Sequence, residues 1–368
     1  MLNLLYLTDT KVKLLKLQLE NFRSYSQHTV EFDPDQPITI FLGQNGLGKT
    51  NLLEALYLLS LGRSFRTSNA EDLVQWEQDY CRCRGFVSTT EQDIELEVFY
   101  STRPLRRKNF KLQGTNRRTS NYIGNFLTVL FHPEDLNMLY LSPSLRRQYL
   151  DTVLCQTDRQ YLDALSNYRK TLKQRNALLY SLREGTPLHD DLNIWDQKLA
   201  EFGSIILEKR LHYVDFLNQE LAELYRNISD GNEKIHVDYQ TKIGDNYLET
   251  LQERRQKDLY QARTTAGPHR DDLLFFINDR EISTSASRGE FRTMLLAVKL
   301  AEIKFIKQVT AENPILLLDD VFSELDPQRQ NKLLAAIADC QTIITTTEIQ
   351  ENMLPVARII EIKSDHLQ

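Results

Sequence analysis

The chain is poor in cysteine, with 4 among its 368 residues. They stand at positions 81, 83, 155 and 340, and none belongs to a CxxC pair, so no zinc-site spacing is present. Cys81 and Cys83 lie two apart in a strand-like stretch, on one face, and read as reduced thiols instead of a redox pair. Long apolar runs are missing too: nothing approaches the roughly 18 residues of a membrane-spanning helix. Residues 1–7 are apolar but have no basic stretch and no small-residue cleavage pattern, so they do not read as a secretory leader. A cytoplasmic protein is the expectation. There is no excess of positive charge; the formal net charge is −6, so contact with nucleic acid must rest on a local basic patch. Internal repeats, low-complexity linkers and very long heptad arrays are also absent. What remains, 41% hydrophobic and 26% charged, is a globular composition long enough for two cores.

One segment carries specific chemistry: Gly43-Gln44-Asn45-Gly46-Leu47-Gly48-Lys49-Thr50. It has the glycine, lysine and threonine spacing of a phosphate-binding loop. The β-rich run 38–42 precedes it and helix-compatible Asn51-Leu52-Leu53-Glu54-Ala55-Leu56-Tyr57 follows, which is the context that loop requires. Glycines let the backbone wrap an anion, so that successive N–H groups and a helix N-terminus aim at the β- and γ-phosphates. Lys49 adds a point charge there, and Thr50 a hydroxyl for Mg²⁺. ATP and Mg²⁺ are the expected cofactors. Much later, Ile315-Leu316-Leu317-Leu318 runs into Asp319-Asp320, as a buried parallel strand ending in carboxylates. Asp319 is expected to hold the Mg²⁺ water shell and Asp320 to orient and deprotonate the attacking water.

Periodicity divides the chain. Residues 13–131 read mainly as short strands around the loop and its helix, whereas 158–184 and 190–228 place apolar residues at helical intervals. Gly185-Thr186-Pro187 separates these two helices, and with 144–156 they predict an antiparallel helical arm. A strand-like Ile235-His236-Val237-Asp238-Tyr239 and a helix over 246–261 follow. Strand 273–277, an Asn278-Asp279 turn, a helix over 291–309 and strands 315–318 and 342–347 complete the pattern. The division expected is 1–132 for the first part of an α/β ATPase head, 133–262 for the arm, and 263–368 for the rest of the head.

Further residues match the order found in ATP-binding-cassette heads. Ser287-Arg288-Gly289-Glu290 opens a helix and has two open readings. It is a capping box, with Ser287 and Glu290 satisfying each other's amides. It is also placed where cassette heads carry the signature that touches the γ-phosphate of the other subunit, through Ser287, Gly289 and Glu290. Ser323-Glu324-Leu325-Asp326-Pro327 occupies the position of the loop that borders the dimer interface, with Glu324 and Asp326 as its contacts and Asp326 capping a helix from Pro327. Cassette heads often sense the γ-phosphate with a histidine after the next strand; this chain offers Thr347. One loop and one signature per chain imply a two-fold homodimer. Arg103, Arg106, Arg107, Lys108, Lys111, Arg117 and Arg118 form the clearest basic patch. It reads either as a DNA-phosphate contact or as a solvated hairpin tip turning at Gly114-Thr115-Asn116. Arg146, Arg147, Lys170, Lys173 and Arg175 are weaker DNA candidates. Arg63 and Arg66 suit nucleotide, DNA or a plain surface loop, and His132 and His269 have no companions at metal spacing.

Several of these segments together resemble the bacterial RecF family of SMC/ABC-type ATPases. They are Leu19-Glu20-Asn21-Phe22-Arg23-Ser24-Tyr25, the phosphate loop with its helix, Gly62-Arg63-Ser64-Phe65-Arg66, Phe131-His132-Pro133-Glu134-Asp135-Leu136, Gly267-Pro268-His269-Arg270-Asp271-Asp272, and the run from Leu317 to Asp326. The resemblance covers residues 13–363 and leaves the first dozen as an unmatched extension. It implies an ABC/SMC-like head with a helical second domain, mixed sheets around the phosphate loop, and ATP-dependent dimerisation on single-stranded, gapped or duplex DNA. It further implies RecO and RecR as partners in loading RecA, with a part in SOS induction. Arg288, Glu290 and Phe291 depart from the glutamine-rich signature common in that family. A transporter ATPase subunit, a small-molecule kinase and a non-hydrolysing ATP switch are the competing classes. The long helical arm and the basic hairpin speak against the transporter.

Overall fold

The computed structural model describes residues 12–89, 92–185, 192–229, 231–349 and 357–363. The N-terminal extension, Thr186 and Pro187 of the expected inter-helix loop, and the start of the helix expected from 190 lie outside the described residues. The chain divides into two compact units, Met1–Asp135 with Lys299–Gln368, and Leu136–Val298.

The first unit pairs an antiparallel and a parallel sheet. The antiparallel sheet has six strands in the order Tyr25–Glu31, Lys13–Phe22, Tyr80–Ser88, Asp93–Ser101, Arg107–Leu112 and Thr115–Arg117. Strict alternation of buried and part-exposed residues along Tyr80–Ser88 buries both Cys81 and Cys83 on one face. Burial pushes the Cys81 thiol up to about 12, and neither cysteine is in a disulfide. The parallel sheet runs Ala357–Glu361, Ile38–Leu42, Thr342–Thr346, Ile315–Asp319, Thr128–Phe131. Its three strands Thr342–Thr346, Ile315–Asp319 and Thr128–Phe131 are buried at every residue, as parallel strands covered on both faces must be. Helix Lys49–Leu61 touches strands of both sheets and buries every residue except Thr50 and Asn51, which explains why its sequence is apolar all round. It stops at Gly62, whose φ of 65° forms a left-handed cap with its N–H on the Leu58 carbonyl.

The basic hairpin turns one residue earlier than expected. Leu112 pairs with Thr115, and Gln113 and Gly114 both have positive φ, 51° and 69°. That is a two-residue turn of the kind that matches strand twist, so Thr115 and Asn116 belong to the return strand.

The second unit contains helices Pro143–Thr157, Arg159–Arg183 and Leu192–Ser229, close to the expected arm. The helix expected over 246–261 is two, Tyr247–Glu253 and Arg255–Gln261, meeting at Arg254. A three-stranded antiparallel sheet of Ile235–Gln240, Asp272–Ile277 and Arg280–Glu281 includes the Asn278-Asp279 turn, at φ 51° and 61°. Because Asp272–Ile277 pairs with Ile235–Gln240, the residues after 262 stay with the helical unit. The boundary falls instead at Val298, inside the helix Arg288–Thr310.

Charges inside this unit are structural. Arg175, fully buried, donates to Asp196 at 2.7 Å, Asp258 at 2.7 Å and Thr264 at 2.8 Å. Arg146 grips Asp272 with two bonds, 2.7 and 2.8 Å. Neither guanidinium faces solvent, which removes both from the exposed basic surface. The Gly267-Pro268-His269-Arg270-Asp271-Asp272 segment is threaded through the same polar core: Asp271 accepts from Tyr239 and Thr241, each at 2.9 Å. At Gly267, φ is 132° and a Cβ would sit 2.0 Å from the Tyr247 hydroxyl, so no other residue fits.

Candidate nucleotide site

The parallel sheet gathers the expected site at one edge, since its strands run the same way and the loops after Leu42, Phe131, Asp319 and Thr346 all leave at their carboxyl ends. A cleft of roughly 500 Å³ opens there, lined by residues of the phosphate loop with Asn51, Arg66, His132, Pro133, Glu134, Asp319, Asp320 and Thr345.

Gly46 and Gly48 have φ of 86° and 85°, the left-handed values that let a loop curl its amides inward. Gly48 is also closely packed: a Cβ there would meet the Ser24 hydroxyl at 2.9 Å and the Tyr25 hydroxyl at 3.0 Å. Lys49 donates to the loop's own carbonyls, Gly43 at 2.6 Å and Gln44 at 2.8 Å. Its ammonium is held below the ordinary lysine value by burial, opposed by the charges of Asp320 and Asp319.

Thr50 donates to Asp319 Oδ1 at 2.9 Å, which joins the two motifs across 269 residues of sequence. The same oxygen accepts from Thr345 at 2.7 Å, and His132 Nε2 lies 3.4 Å from Oδ2. Asp320 takes a left-handed backbone, φ 51°, held by its N–H on the Thr345 carbonyl at 3.0 Å. Its buried Oδ1 has no hydrogen-bond partner among the described residues. Burial and then Asp319 raise this carboxyl above the ordinary aspartate value, partly offset by Lys49. Among the described residues no group of three or more His, Cys, Asp and Glu could hold a metal unaided. The donor set of one hydroxyl and one carboxylate beside a phosphate cradle fits Mg²⁺, which takes few protein ligands and completes its shell with phosphate and water.

Thr347 lies exposed past the strand end, and Thr345, not singled out from the sequence, is the threonine that lines the cleft. Four other contributors were not legible as a group. Glu54, fully buried, accepts from Arg23 at 2.9 and 2.6 Å and from Ser64 at 2.5 Å, with Arg66 at 3.4 Å. Arg66 also donates to Asn51 at 2.8 Å, and so reaches the cleft from a fixed support.

Other expected residues stand elsewhere. Asp326 caps helix Pro327–Ala336 by accepting from the Arg329 amide at 3.0 Å, and Glu324 ends the preceding short turn. In the second unit, Ser287 and Glu290 form the capping box: Ser287 N–H donates to Glu290 at 2.7 Å and Glu290 N–H to the Ser287 hydroxyl at 3.3 Å. Gly289 lies in the first turn of that helix. In the hairpin, Lys108 turns its ammonium onto the Gly62 carbonyl and Lys111 pairs with Glu97 at 2.7 Å. Arg106 pairs with Glu71, and Arg103 lies 3.9 Å from Asp79. Arg107, Arg117 and Arg118 are exposed, with Arg107 Nε donating to Asn109 Oδ1 at 3.0 Å.

Fold and cleft together define an SMC-type ATPase head with a helical unit interposed in the sequence. Residues 13–366 match the model of the RecF/RecN/SMC N-terminal domain family. The DNA replication and repair protein RecF of Oceanobacillus iheyensis is 40% identical over 349 residues, 91% of this chain and 93% of that one. The RecF of Streptococcus suis is 41% identical over 345 residues, 91% and 92% of the two chains. A solved structure of the recombination mediator protein RecF-ATP in the RecFOR pathway superposes with a TM-score of 0.86 at 35% identity, covering 93% of this chain and 94% of that chain. The Smc head domain of Pyrococcus furiosus, at 16% identity and a TM-score of 0.53, shares the fold. The chain belongs to the RecF family of DNA replication and repair proteins.

Proposed function

We propose that the chain binds ATP and Mg²⁺ at this cleft and dimerises around the nucleotide on single-stranded, gapped or linear duplex DNA. In this reading it then acts with RecO and RecR to promote RecA loading in repair, replication restart and SOS induction. The observation that supports it most is the 2.9 Å bond from Thr50 to Asp319, which joins the end of the glycine-rich loop to the carboxylate-ended strand in a RecF-family chain. The neighbouring RecF-ATP structure, of a RecFOR-pathway mediator, supports ATP as the nucleotide.

Within the cleft the loop amides and Lys49 bind the β- and γ-phosphates, while Thr50 and Asp319 hold Mg²⁺. The ion supplies charge neutralisation on the phosphate oxygens. Asp320, its carboxyl raised by burial and by Asp319, accepts a proton from the attacking water. A new bond forms from that water oxygen to the γ-phosphorus, the bond to the bridging oxygen breaks, and ADP and phosphate leave. The partner's signature residues, Ser287, Gly289 and Glu290, complete the site in the closed dimer, and Glu324 and Asp326 line the contact. Ser287 is exposed at the start of its helix, where its hydroxyl accepts from the Glu290 N–H at 3.3 Å. With Thr347 in place of a γ-phosphate-sensing histidine, turnover is slow, and ATP serves chiefly to hold the clamp shut.

DNA lies against the exposed arginines of the hairpin. Fluorescence anisotropy with labelled gapped DNA tests this reading: binding strengthens with ATP and Mg²⁺ and weakens as salt rises. Replacing Arg107, Arg117 and Arg118 with Glu lowers the salt slope by about one for each DNA phosphate that these side chains neutralise. An unchanged slope assigns these arginines to a solvated hairpin, and DNA binding indifferent to ATP removes the clamp.

A further inference from the structure

We propose that His132 is a positioning residue for the Mg²⁺ site, fixing Asp319 from the side opposite Thr50 and itself anchored by Asp135 and Lys299. The inference rests on the nucleotide-site reading above and extends it to a loop outside both sequence motifs.

Strand register places the residue. Phe131 pairs with Leu318 in the parallel sheet, so the residue after each, His132 and Asp319, emerges side by side. Three contacts then fix the imidazole and its loop. The Glu134 N–H donates to His132 Nδ1 at 3.2 Å, the His132 N–H donates to Asp135 Oδ2 at 3.1 Å, and the ring packs edge-on against Phe65 at 5.1 Å. Since Nδ1 accepts a backbone hydrogen bond, the neutral ring carries its proton on Nε2. That N–H is the atom 3.4 Å from Asp319 Oδ2. Oδ1 already accepts from two hydroxyls, Thr50 at 2.9 Å and Thr345 at 2.7 Å. Asp319 is thus approached by donors at both oxygens, which limits its rotation to the small movement that takes up a metal-bound water.

The loop has its own anchor. Asp135 Oδ2 lies 3.2 Å from Lys299 Nζ, and Glu302 Oε2 lies 3.5 Å from the same ammonium. Lys299 and Glu302 are 7% and 1% exposed. Burial alone lowers the Lys299 ammonium, but Asp135 and Glu302 hold it above its ordinary value, so it stays charged. Burial pushes the Glu302 carboxyl up to about 7, against the pull of Lys299. Asp135 Oδ2 thus joins the His132 N–H to the buried Lys299 ammonium, which ties the His132 loop to the Lys299 turn of the helix Arg288–Thr310.

The test is a titration of the full chain with a fluorescent non-hydrolysable ATP analogue, in EDTA and across a Mg²⁺ series, so the readout is affinity and not turnover. His132→Ala leaves affinity in EDTA unchanged and raises the Mg²⁺ concentration needed for half-maximal gain by about 10- to 100-fold, the range for loss of a group that orients a metal ligand. His132→Gln, which offers an N–H at similar reach, restores most of that gain. Lys299→Met, away from the nucleotide, shifts the Mg²⁺ requirement in the same direction; circular dichroism establishes that it is folded. Wild-type Mg²⁺ dependence in His132→Ala overturns the proposal, as does an equal loss with and without Mg²⁺, which means packing alone. If the wild-type chain binds no nucleotide in either condition, the site reading itself fails and the proposal falls with it.

Discussion

Glu54→Gln removes one charge from the interior of the first unit while preserving shape. The Glu54 side chain is 0% exposed and faces Arg23, itself 18% exposed, and Arg66, 41% exposed. Glutamine keeps one acceptor for Arg23 but turns an amide N–H₂ toward the other donors, so two donors confront each other across a buried contact. Breaking a buried ion pair from one side costs about 3–5 kcal/mol. Partial exposure of Arg23 lets water meet some of its N–H groups and sets the expectation at the lower end, about 3 kcal/mol. The Arg66 arm, more exposed, adds little. For a unit of this size each kcal/mol lowers Tm by roughly 2–4 °C, which gives about 6–12 °C. Scanning fluorimetry on the full chain measures it, with Arg66→Ala as the control that moves Tm little. A shift under about 2 °C for Glu54→Gln would refute the reasoning, because the carboxylate would then be dispensable to the turn at Arg23 and the loop at Ser64.

The remaining predictions concern the cleft, the dimer and the second unit. Lys49→Ala or Lys49→Met abolishes nucleotide binding and dimerisation in equilibrium assays. Asp320→Asn keeps nucleotide affinity but accumulates as an ATP-bound dimer; a monomer at saturating ATP removes the general-base role from this residue. Ser287→Arg retains ATP yet stays monomeric by light scattering, and normal dimerisation leaves Ser287 with its cap alone. Burial holds the His269 imidazole down at about 4 against an ordinary 6.5, aided by the nearby Arg270 and Arg147 charges. The unfolded chain therefore takes up this proton first as pH falls, and stability present above about 6.5 is lost progressively toward about 4. The shift corresponds to roughly 3 kcal/mol, seen as a fall in urea midpoint that His269→Asn reduces; equal acid slopes for the two proteins contradict it.

What was legible in the sequence was what local pattern encodes. The phosphate loop, the four aliphatics before Asp319 and the cap at Asp326 each reside in fewer than ten consecutive residues, and the structure builds the strands, loop and helix around them. The helices of the arm were legible from periodicity for the same reason. Errors arose where conformation turns on a single residue: Arg254 breaks a helix whose apolar spacing continues past it, and Gln113 takes the left-handed turn position that Gly114-Thr115-Asn116 suggested one step later. Charge roles were hidden for a different reason. Arg175 meets Asp258 across 83 residues and Arg146 meets Asp272 across 126, so spacing gives no hint that either is buried. Sequence distance likewise concealed His132 beside Asp319, whereas Glu54 and Arg66, 12 residues apart, were hidden because a helix and the loop after it have no fixed side-chain register. A lone histidine after a buried strand carries no signal until sheet register puts it against its carboxylate.

The central claim, that ATP closes two copies of this chain on DNA, is tested most directly by light scattering coupled to size exclusion, with and without ATP, Mg²⁺ and a gapped DNA, at two salt concentrations. The account predicts a monomer that becomes a dimer only with ATP and Mg²⁺, carries the DNA with it, and releases that DNA more readily at the higher salt. An ATP-bound monomer that ignores DNA at both salt concentrations would contradict it.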